Sequence, residues 1–363
     1  MFRKLLHWVQ KYERHLSAFF MFAGFVVDSL FFERVDIWRT HAAFATYAAL
    51  CFAAIPLLHW LETRAVADAA AYLRTRFTLR FAIQFALGGF WSGLVILYGR
   101  SADLGVSWPF LAFLVLILLG SEYFSRYHAR LVFTSVLFFF ALYSYTIFAL
   151  PIYTGTLGML TFLGSGAVAI GLFALFTALL RTLARERFFA DLWRIRAGAF
   201  AVFLVLNVFY FTNILPPLPL AASAAGVYHS VWRVPGEYLA TTEKDESWGV
   251  RYLGFAPTLH LAYGEPLSAY SAVFAPTALA TTIVHRWQWY DEVEKQWVQR
   301  AVITYQIVGG RDGGYRGYST INPGETGEWR VAVETSDGRL IARLPFTIER
   351  VAAPLAEKTI TLK

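Results

Sequence analysis

Cysteine, methionine and charge are scarce in this chain of 363 residues, which has one cysteine, three methionines and 16% charged residues. Because Cys51 is alone, no disulfide can form within the chain, and cysteine usage does not indicate a redox compartment. No lysine lies in any apolar segment, which excludes a retinal Schiff base. Residues 221–363 hold 14 lysines and arginines against 15 acidic residues, so the basic footprint of a nucleic-acid-binding domain is missing. We therefore expect no nucleic-acid partner.

Long apolar runs fill the first 220 residues. The chain is 57% hydrophobic and 18% aromatic, which is typical of a polytopic membrane protein with an attached domain. Seven segments are close to the length that a membrane-spanning helix needs. They are residues 16–32, 42–60, 81–98, 106–124, 131–153, 158–180 and 197–220. The first lacks a small-residue cleavage site and is interpreted as an uncleaved anchor. The sequence thus predicts a seven-helix transmembrane domain at residues 1–220, with the lipid bilayer as a partner.

Lysine and arginine flank these segments unevenly. Fifteen lie in the N-terminal arm and in the loops after segments two, four and six, whereas the short loops on the other side hold three, Arg34, Arg39 and Arg100. Basic residues favour the cytoplasmic side of a membrane protein. We therefore predict a cytoplasmic N-terminus, and seven crossings then put the C-terminal domain on the outer side.

From about residue 221 the apolar pattern changes to a period of two. Residues 282–290, TIVHRWQWY, carry His285, Trp287 and Trp289 on one face, and residues 328–334 alternate in the same way. Several short strands separated by turns favour an all-β sandwich of the immunoglobulin type. We predict this domain at residues 221–350, followed by a C-terminal tail at residues 351–363.

The dipeptide Asp337–Gly338 is a strong hairpin signal, and a type I′ turn would require positive φ at both residues. With a two-residue loop at this point, all three facing pairs are apolar, so the turn and the pattern agree. The pairs are Val333 with Ala342, Val331 with Leu344, and Trp329 with Phe346.

Several motifs of the outer domain recur together in one bacterial family. They are A-P-T at residues 275–277, H-x-W at 285–287, G-G-R-D-G-G-Y-R at 309–316 and G-x-W-R-V at 327–331. On these motifs the chain resembles an uncharacterised family of bacterial multi-pass membrane proteins with a C-terminal domain of unknown function. The resemblance implies fold and placement but no activity. In bacteria the outer side would be the periplasm, and the helices would lie in the inner membrane.

Residues 309–318, GGRDGGYRGY, form the most distinctive stretch of the outer domain. Glycines allow close backbone approach, and Arg311 and Arg316 carry planar guanidinium groups that suit carboxylate, phosphate or sulfate. Tyr315 offers a stacking face, but the G-K-[ST] ending of a P-loop is missing. The stretch is interpreted either as a ligand loop or as a turn whose arginines hold strand ends. His285 likewise belongs either to a ligand surface or to the core, with its hydrogen bonds satisfied.

Arg330 and Arg343 are predicted to be neighbours on an exposed face. Trp329 alternates inward with Val331, so Arg330 points outward, and Arg343 opposes Ala332 in the predicted register. Adjacent cations are unfavourable unless negative charge lies between them. We expect either an external acidic ligand, such as an envelope glycan, or neutralisation within the domain by Glu328, Glu334 or Asp312.

Ionisable residues inside apolar segments are costly and are treated as candidate functional residues. Asp28 lies in segment one, where it either pairs with Arg34 near the interface or serves a function. Glu122 and Arg126 are four residues apart at the end of segment four, a spacing that suits a helix ion pair. The alternative is a gate or a proton site.

No Ser-His-Asp spacing, carboxylate pair or His-rich metal pattern stands out in the outer domain, so we predict no catalytic residue, metal or cofactor. The leading hypothesis is a non-enzymatic membrane protein whose periplasmic β-sandwich binds envelope material or a partner protein, as a sensor, scaffold or accessory subunit. A transporter or channel is the first alternative and requires a polar pathway. A membrane enzyme acting on lipid or cell-wall precursors is the second and requires clustered catalytic residues.

Overall fold

The computed structural model describes residues 28–29, 32, 38–63, 68–123, 131–244, 256–276, 279–308 and 314–362. These residues divide into two compact units. The helical unit lies within Met1–Gly99 and Trp108–Leu215, and the β unit lies within Arg100–Ser107 and Pro216–Lys363.

Six long helices make up the described part of the helical unit. They are α1 (Trp38–Leu61), α2 (Ala69–Ser101), α3 (Leu104–Tyr123), α4 (Leu131–Thr154), α5 (Met159–Leu183) and α6 (Arg185–Phe211). Five of these six are long and apolar enough to cross a membrane, while α3 contains a shorter apolar stretch, Gly105–Leu119. The unit is therefore compatible with a membrane protein, but the predicted count of seven is not confirmed. Segment one lies almost wholly outside the described residues.

Two helix boundaries differ from the prediction. The last segment was expected at residues 197–220, but α6 begins at Arg185 and ends at Phe211. The Arg-rich stretch before the apolar run thus continues the helix, and Pro216, Pro217 and Pro219 lie beyond its end. Similarly, α2 begins at Ala69, so one continuous helix includes both segment three and most of residues 61–80 before it.

Two glycines of α2 leave room for aromatic side chains of α1. A Cβ on Gly89 of α2 would lie 2.4 Å from the ring of Tyr47 on α1, and one on Gly93 would lie 2.7 Å from Phe44. Because such distances are far below van der Waals contact, a side chain at either position would require the ring of Tyr47 or Phe44 to move. The G-x-x-x-G spacing thus serves helix packing.

Eleven strands form three sheets in the described part of the β unit. Sheet A has the order β1-β5-β8, sheet B the order β11-β3-β2, and sheet C the order β4-β10-β9-β6-β7. The strands are β1 (Ala221–Tyr228), β2 (Ser230–Val234), β3 (Glu237–Glu243), β4 (Thr258–Leu261), β5 (Leu267–Phe274), β6 (Ala280–Asp291), β7 (Gln296–Val308), β8 (Tyr315–Ile321), β9 (Gly327–Thr335), β10 (Leu340–Arg350) and β11 (Glu357–Leu362).

Sheet A lies between the other two sheets. Every residue of β5 is buried, as expected of a strand that is covered on both faces. Its Leu267 and Ala269 pack with Trp287 and Trp329 of sheet C, and its Tyr270 packs against sheet B. The β-rich domain was predicted, but the unit has three layers where an immunoglobulin sandwich has two.

The predicted β9–β10 hairpin register is confirmed: Val333 faces Ala342, Val331 faces Leu344, and Trp329 faces Phe346. The predicted turn type is wrong, because Gly338 alone in the turn has positive φ, +79°. Its N–H donates to the Thr335 carbonyl at 2.9 Å, which closes a turn, and the strands shift register after Leu340. Such a turn followed by a left-handed glycine is the geometry of a bulged hairpin.

The stretch at residues 351–363 is not a free tail. Glu357–Leu362 form β11, which pairs antiparallel with β3 over its whole length. Leu362 is buried in the core between sheets A and B. The fold of the β unit therefore includes this last strand.

Candidate functional site

His285 lies in the core between sheets A and C, fully buried. Its Nε2 lies 2.8 Å from Ser271 Oγ, and its Nδ1 lies 2.8 Å from Ser319 Oγ. Ser271 also hydrogen-bonds the Tyr305 hydroxyl, and Trp287 Nε1 donates to Ser319 at 3.0 Å. Both ring nitrogens thus have partners without a ligand.

The electrostatics of His285 match a structural role. Burial lowers its pKa to about 4, so the imidazole is neutral at pH 7. A neutral imidazole provides one donor and one acceptor, which the two serine hydroxyls can match. The core interpretation of His285 therefore holds, and the residue does not line an exposed surface.

The end of the glycine-rich stretch is also structural. Gly314 has φ +80°, and a Cβ there would lie 3.0 Å from the Val273 backbone. A Cβ on Gly317 would lie 2.5 Å from the ring of Tyr305, so glycine makes room for the tyrosine that bonds Ser271. Arg311 belongs to residues 309–313, which lie outside the described residues.

Tyr315 and Arg316 lie on β8 in sheet A. Arg316 pairs with Ala272, whose side chain faces sheet B, and its carbonyl accepts a hydrogen bond from Tyr238. Tyr315 pairs with Val273, on the opposite face of the strand. The structure thus does not bring Arg316 together with Arg330, which lies on the outer face of sheet C.

Arg330 lies half-buried on this outer face. Its guanidinium carbon is 4.0 Å from the centre of the Trp297 ring, and its Nε donates to Gln288 at 2.8 Å. Burial, and next the charge of Arg343, lower the pKa of Arg330, whereas Glu334 raises it. The strand register, which pairs Arg343 with Ala332 two residues from Arg330, confirms the predicted proximity of the two arginines.

A third arginine, which the sequence analysis did not single out, lies in the same place. Arg286 and Arg343 both pair with Ala332, one from each side, and Arg330 is two residues away on the same strand face. Ala332 is itself buried. We call Arg286, Arg330 and Arg343, together with Trp297, the arginine face. The position of Arg286 beside Arg330 and Arg343 follows from the register of β6 against β9, which the sequence does not show.

Acidic groups balance part of this charge. Glu334 Oε2 accepts from Arg286 Nε at 3.0 Å. Asp103, within the β unit, accepts the backbone N–H of Arg343 at 2.7 Å while its other oxygen accepts the N–H of Gly105. Of the three predicted neutralising residues, Glu334 therefore acts, on Arg286, while Asp312 lies outside the described residues. The side chain of Arg343 is exposed.

The intramembrane candidates are only partly described. The Asp28 carbonyl accepts the N–H of Phe32 at 2.8 Å, a helical hydrogen bond. Its predicted partner Arg34 lies outside the described residues, as does Arg126. Glu122 lies in the last turn of α3, as its segment predicted. The proposed ion pair between Glu122 and Arg126 therefore stays a prediction.

A histidine–glutamate cluster in the β unit was missed. Glu243 Oε1 accepts the backbone N–H of His260 at 2.7 Å and lies 3.3 Å from His229 Nε2, while its Oε2 lies 3.0 Å from His260 Nδ1. Burial would raise the pKa of Glu243, but these hydrogen bonds outweigh it and lower the pKa. The three residues are far apart in sequence. Across the described chain, no group of three His, Cys, Asp or Glu residues has an arrangement that could hold a metal ion.

Part of the β unit matches a family of known proteins. Residues 280–348 match the family described as "Protein of unknown function (DUF2914)". This stretch contains β6 to β10, with His285 and the arginine face. A C-terminal domain of unknown function was predicted and is confirmed. No curated protein matches the chain.

Likeness to solved structures is weak. A β-glucosidase from Listeria innocua is 14% identical, with a TM-score of 0.19, over 31% of this chain and 16% of that one. A Pseudomonas fluorescens alkylpurine DNA glycosylase bound to DNA is 10% identical, with a TM-score of 0.21, over 77% and 74%. TM-scores this low carry no argument about fold or function.

Proposed function

We propose that this protein is a non-enzymatic bacterial inner-membrane protein whose periplasmic β unit binds an anionic component of the envelope through its arginine face. In this proposal seven helices cross the membrane, the N-terminus is cytoplasmic, and the β unit is outside. The protein then acts as a sensor, scaffold or accessory subunit. The uneven distribution of basic residues supports this orientation.

The observation that carries the proposal is the concentration of guanidinium groups around Ala332. Three arginines occupy neighbouring positions on β6, β9 and β10, and Glu334 neutralises one of them. Trp297 lies beneath Arg330 and holds its guanidinium plane at the surface. A carboxylate or sulfate can accept two parallel N–H bonds from such a group. An acidic glycan or an acidic protein segment has this chemistry.

The binding experiment uses the full-length protein in detergent and soluble peptidoglycan fragments, which carry carboxylates. Arg330→Ala with Arg343→Ala should weaken binding at least 10-fold, since hydrogen bonds to charged groups contribute about 1.5–3 kcal/mol each. A matched control, Arg233→Ala with Arg300→Ala, removes two cations elsewhere in the β unit and should bind normally. Equal binding by both double variants would reject the site.

The orientation is tested separately. A reporter that is active only in the periplasm should be active when fused after Lys363 and silent when fused after Arg76. The reverse pattern would reject the periplasmic assignment while leaving the binding result intact.

A further inference from the structure

Three arginines converge on one carboxylate in the helical unit. Arg187 Nη1 lies 2.6 Å from Glu62 Oε2, Arg76 Nε lies 3.0 Å from Glu62 Oε1, and Arg80 Nη2 lies 3.5 Å from the same oxygen. Glu62 directly follows α1, Arg76 and Arg80 lie in the first half of α2, and Arg187 lies in the first turn of α6. The end of α1, the first half of α2 and the start of α6 therefore meet at this cluster.

The cluster carries more positive than negative charge. Glu62 is 9% exposed, and although burial would raise its pKa, hydrogen bonds from Arg187 and Arg76 lower it. The carboxylate is thus ionised, and guanidinium groups stay protonated at any physiological pH. One carboxylate also accepts only a few of the donors that three guanidinium groups offer. An additional anion would balance the remaining positive charge of the three arginines.

One buried donor of the cluster has no hydrogen-bond partner among the described residues. Arg80 Nε is buried without a hydrogen-bond partner. The three arginine side chains are nevertheless 34–41% exposed, so an anion can reach their outer edges. Both features are typical of a site prepared for a group with several acceptor oxygens.

An apolar stripe runs along α2 beside these arginines. Phe77, Phe81 and Phe85 follow one another at four-residue spacing and are each more than half exposed. Phe77 is three residues before Arg80, so the two side chains are neighbours on the helix surface. The rings of Phe81 and Phe85 stack at 6.5 Å. A ligand with a phosphate and an alkyl chain fits the arginine cluster and the apolar stripe beside it.

We propose that Arg76, Arg80 and Arg187 bind the phosphate of an anionic phospholipid, with an acyl chain lying along Phe77, Phe81 and Phe85. The three arginines then fix the unit at the membrane surface where such lipids are abundant. This site is independent of the arginine face in the β unit, and either proposal can fail without the other.

The first test titrates phosphatidylglycerol onto the full-length protein in detergent and counts bound lipids by native mass spectrometry. The double variant Arg76→Gln with Arg80→Gln should bind the most tightly held lipid about 25-fold more weakly. Each arginine near a lipid surface contributes about five-fold, and the two factors multiply. Arg74→Gln with Arg194→Gln removes the same charge from α2 and α6 outside the cluster and should bind like the parent. The proposal would be overturned if both double variants lost lipid affinity equally, or if neither lost any.

A second variant separates binding from folding. Glu62→Gln removes the competing carboxylate, so phosphatidylglycerol should bind as tightly as in the parent or more tightly. A loss as large as that of the double arginine variant would show that the cluster only maintains helix packing, and would overturn the proposal. Should the double variant not fold, this result alone decides.

A third arm distinguishes lipid from free phosphate. Inorganic phosphate at the same concentration should not displace phosphatidylglycerol. The double variant Phe77→Ala with Phe81→Ala should bind phosphatidylglycerol more weakly than the parent. Full displacement by phosphate, with no effect of the phenylalanine variant, would overturn the assignment to a lipid.

Discussion

The two faces of sheet C contrast in how their polar groups are satisfied. On the inner face, His285 and Trp287 bond to serines of sheet A, and each polar atom of this network has a partner. On the outer face, burial and the nearby charge of Arg343 lower the pKa of Arg330, and Glu334 bonds to Arg286. The same strands therefore carry a closed network on one side and surplus charge on the other.

This contrast shows which distinctive residues have a structural role. The H-x-W motif is conspicuous in sequence, yet both of its named residues are buried and satisfied, so its chemistry is used within the fold. The arginine face has charge that the described residues balance only in part. A ligand site is therefore more reasonably sought on the outer face than around the histidine.

The largest expected difference between the faces is in stability. Trp287→Ala removes a fully buried side chain and the donor to Ser319, and should cost about 3–5 kcal/mol. Trp297→Ala removes the half-exposed ring under Arg330 and should cost about 1 kcal/mol. Hydrogen exchange of β9 amides in the full-length protein measures both. Equal costs would contradict the assignment of the inner face as core.

The inner face should also make stability depend on pH. The pKa of His285 is about 4 in the folded protein and 6.5 ordinarily, so the unfolded chain binds the proton first as pH falls. Stability should be full above pH 6.5 and should decline towards pH 4, by roughly 3 kcal/mol in all.

His285→Gln, which can keep hydrogen bonds to the serines, should reduce this decline and serves as the matched control. The cluster of Glu243 with His229 and His260 is present in both proteins, so its contribution cancels in the difference. The lowered pKa of Glu243 adds a loss only below its ordinary value of 4.5. Parallel pH profiles for the parent and the variant would contradict the buried neutral imidazole.

The hairpin that joins β9 to β10 holds both faces in register. Gly338→Val should cost about 1–2 kcal/mol, because a β-branched residue is strained at φ +79° although no atom lies within 4 Å of its Cβ. Gly324→Val is the control, since that glycine has open space and no positive φ. Hydrogen exchange of β10 amides measures the stability cost of each variant. A cost for Gly324→Val as large as that for Gly338→Val would contradict the backbone argument.

Sequence could predict what depends on neighbouring residues and periodicity. Alternation fixed Trp329 inward, Arg330 outward and the facing pairs of the hairpin. It could not predict the turn type, because a bulged turn and a type I′ turn share the Asp-Gly signal. The partners of His285 lie 14 and 34 residues away, and the arginine around Glu62 that comes from α6 lies 125 residues away. Such contacts depend on packing that no local pattern records.

The smallest expected effect gives the sharpest test of the contrast. Arg343→Gln removes a cation whose charge lowers the pKa of Arg330, so the outer face should become more stable by a few tenths of a kcal/mol. The gain should disappear in 1 M salt, where the screening length is about 3 Å.

The same substitution should weaken binding of anionic peptidoglycan fragments. Hydrogen exchange of β10 amides and fragment binding together check the pair of effects. A gain in stability together with a loss of binding would indicate that the charge of Arg343 serves ligand binding. A loss of stability would instead indicate that Asp103 or another carboxylate of the β unit already balances Arg343.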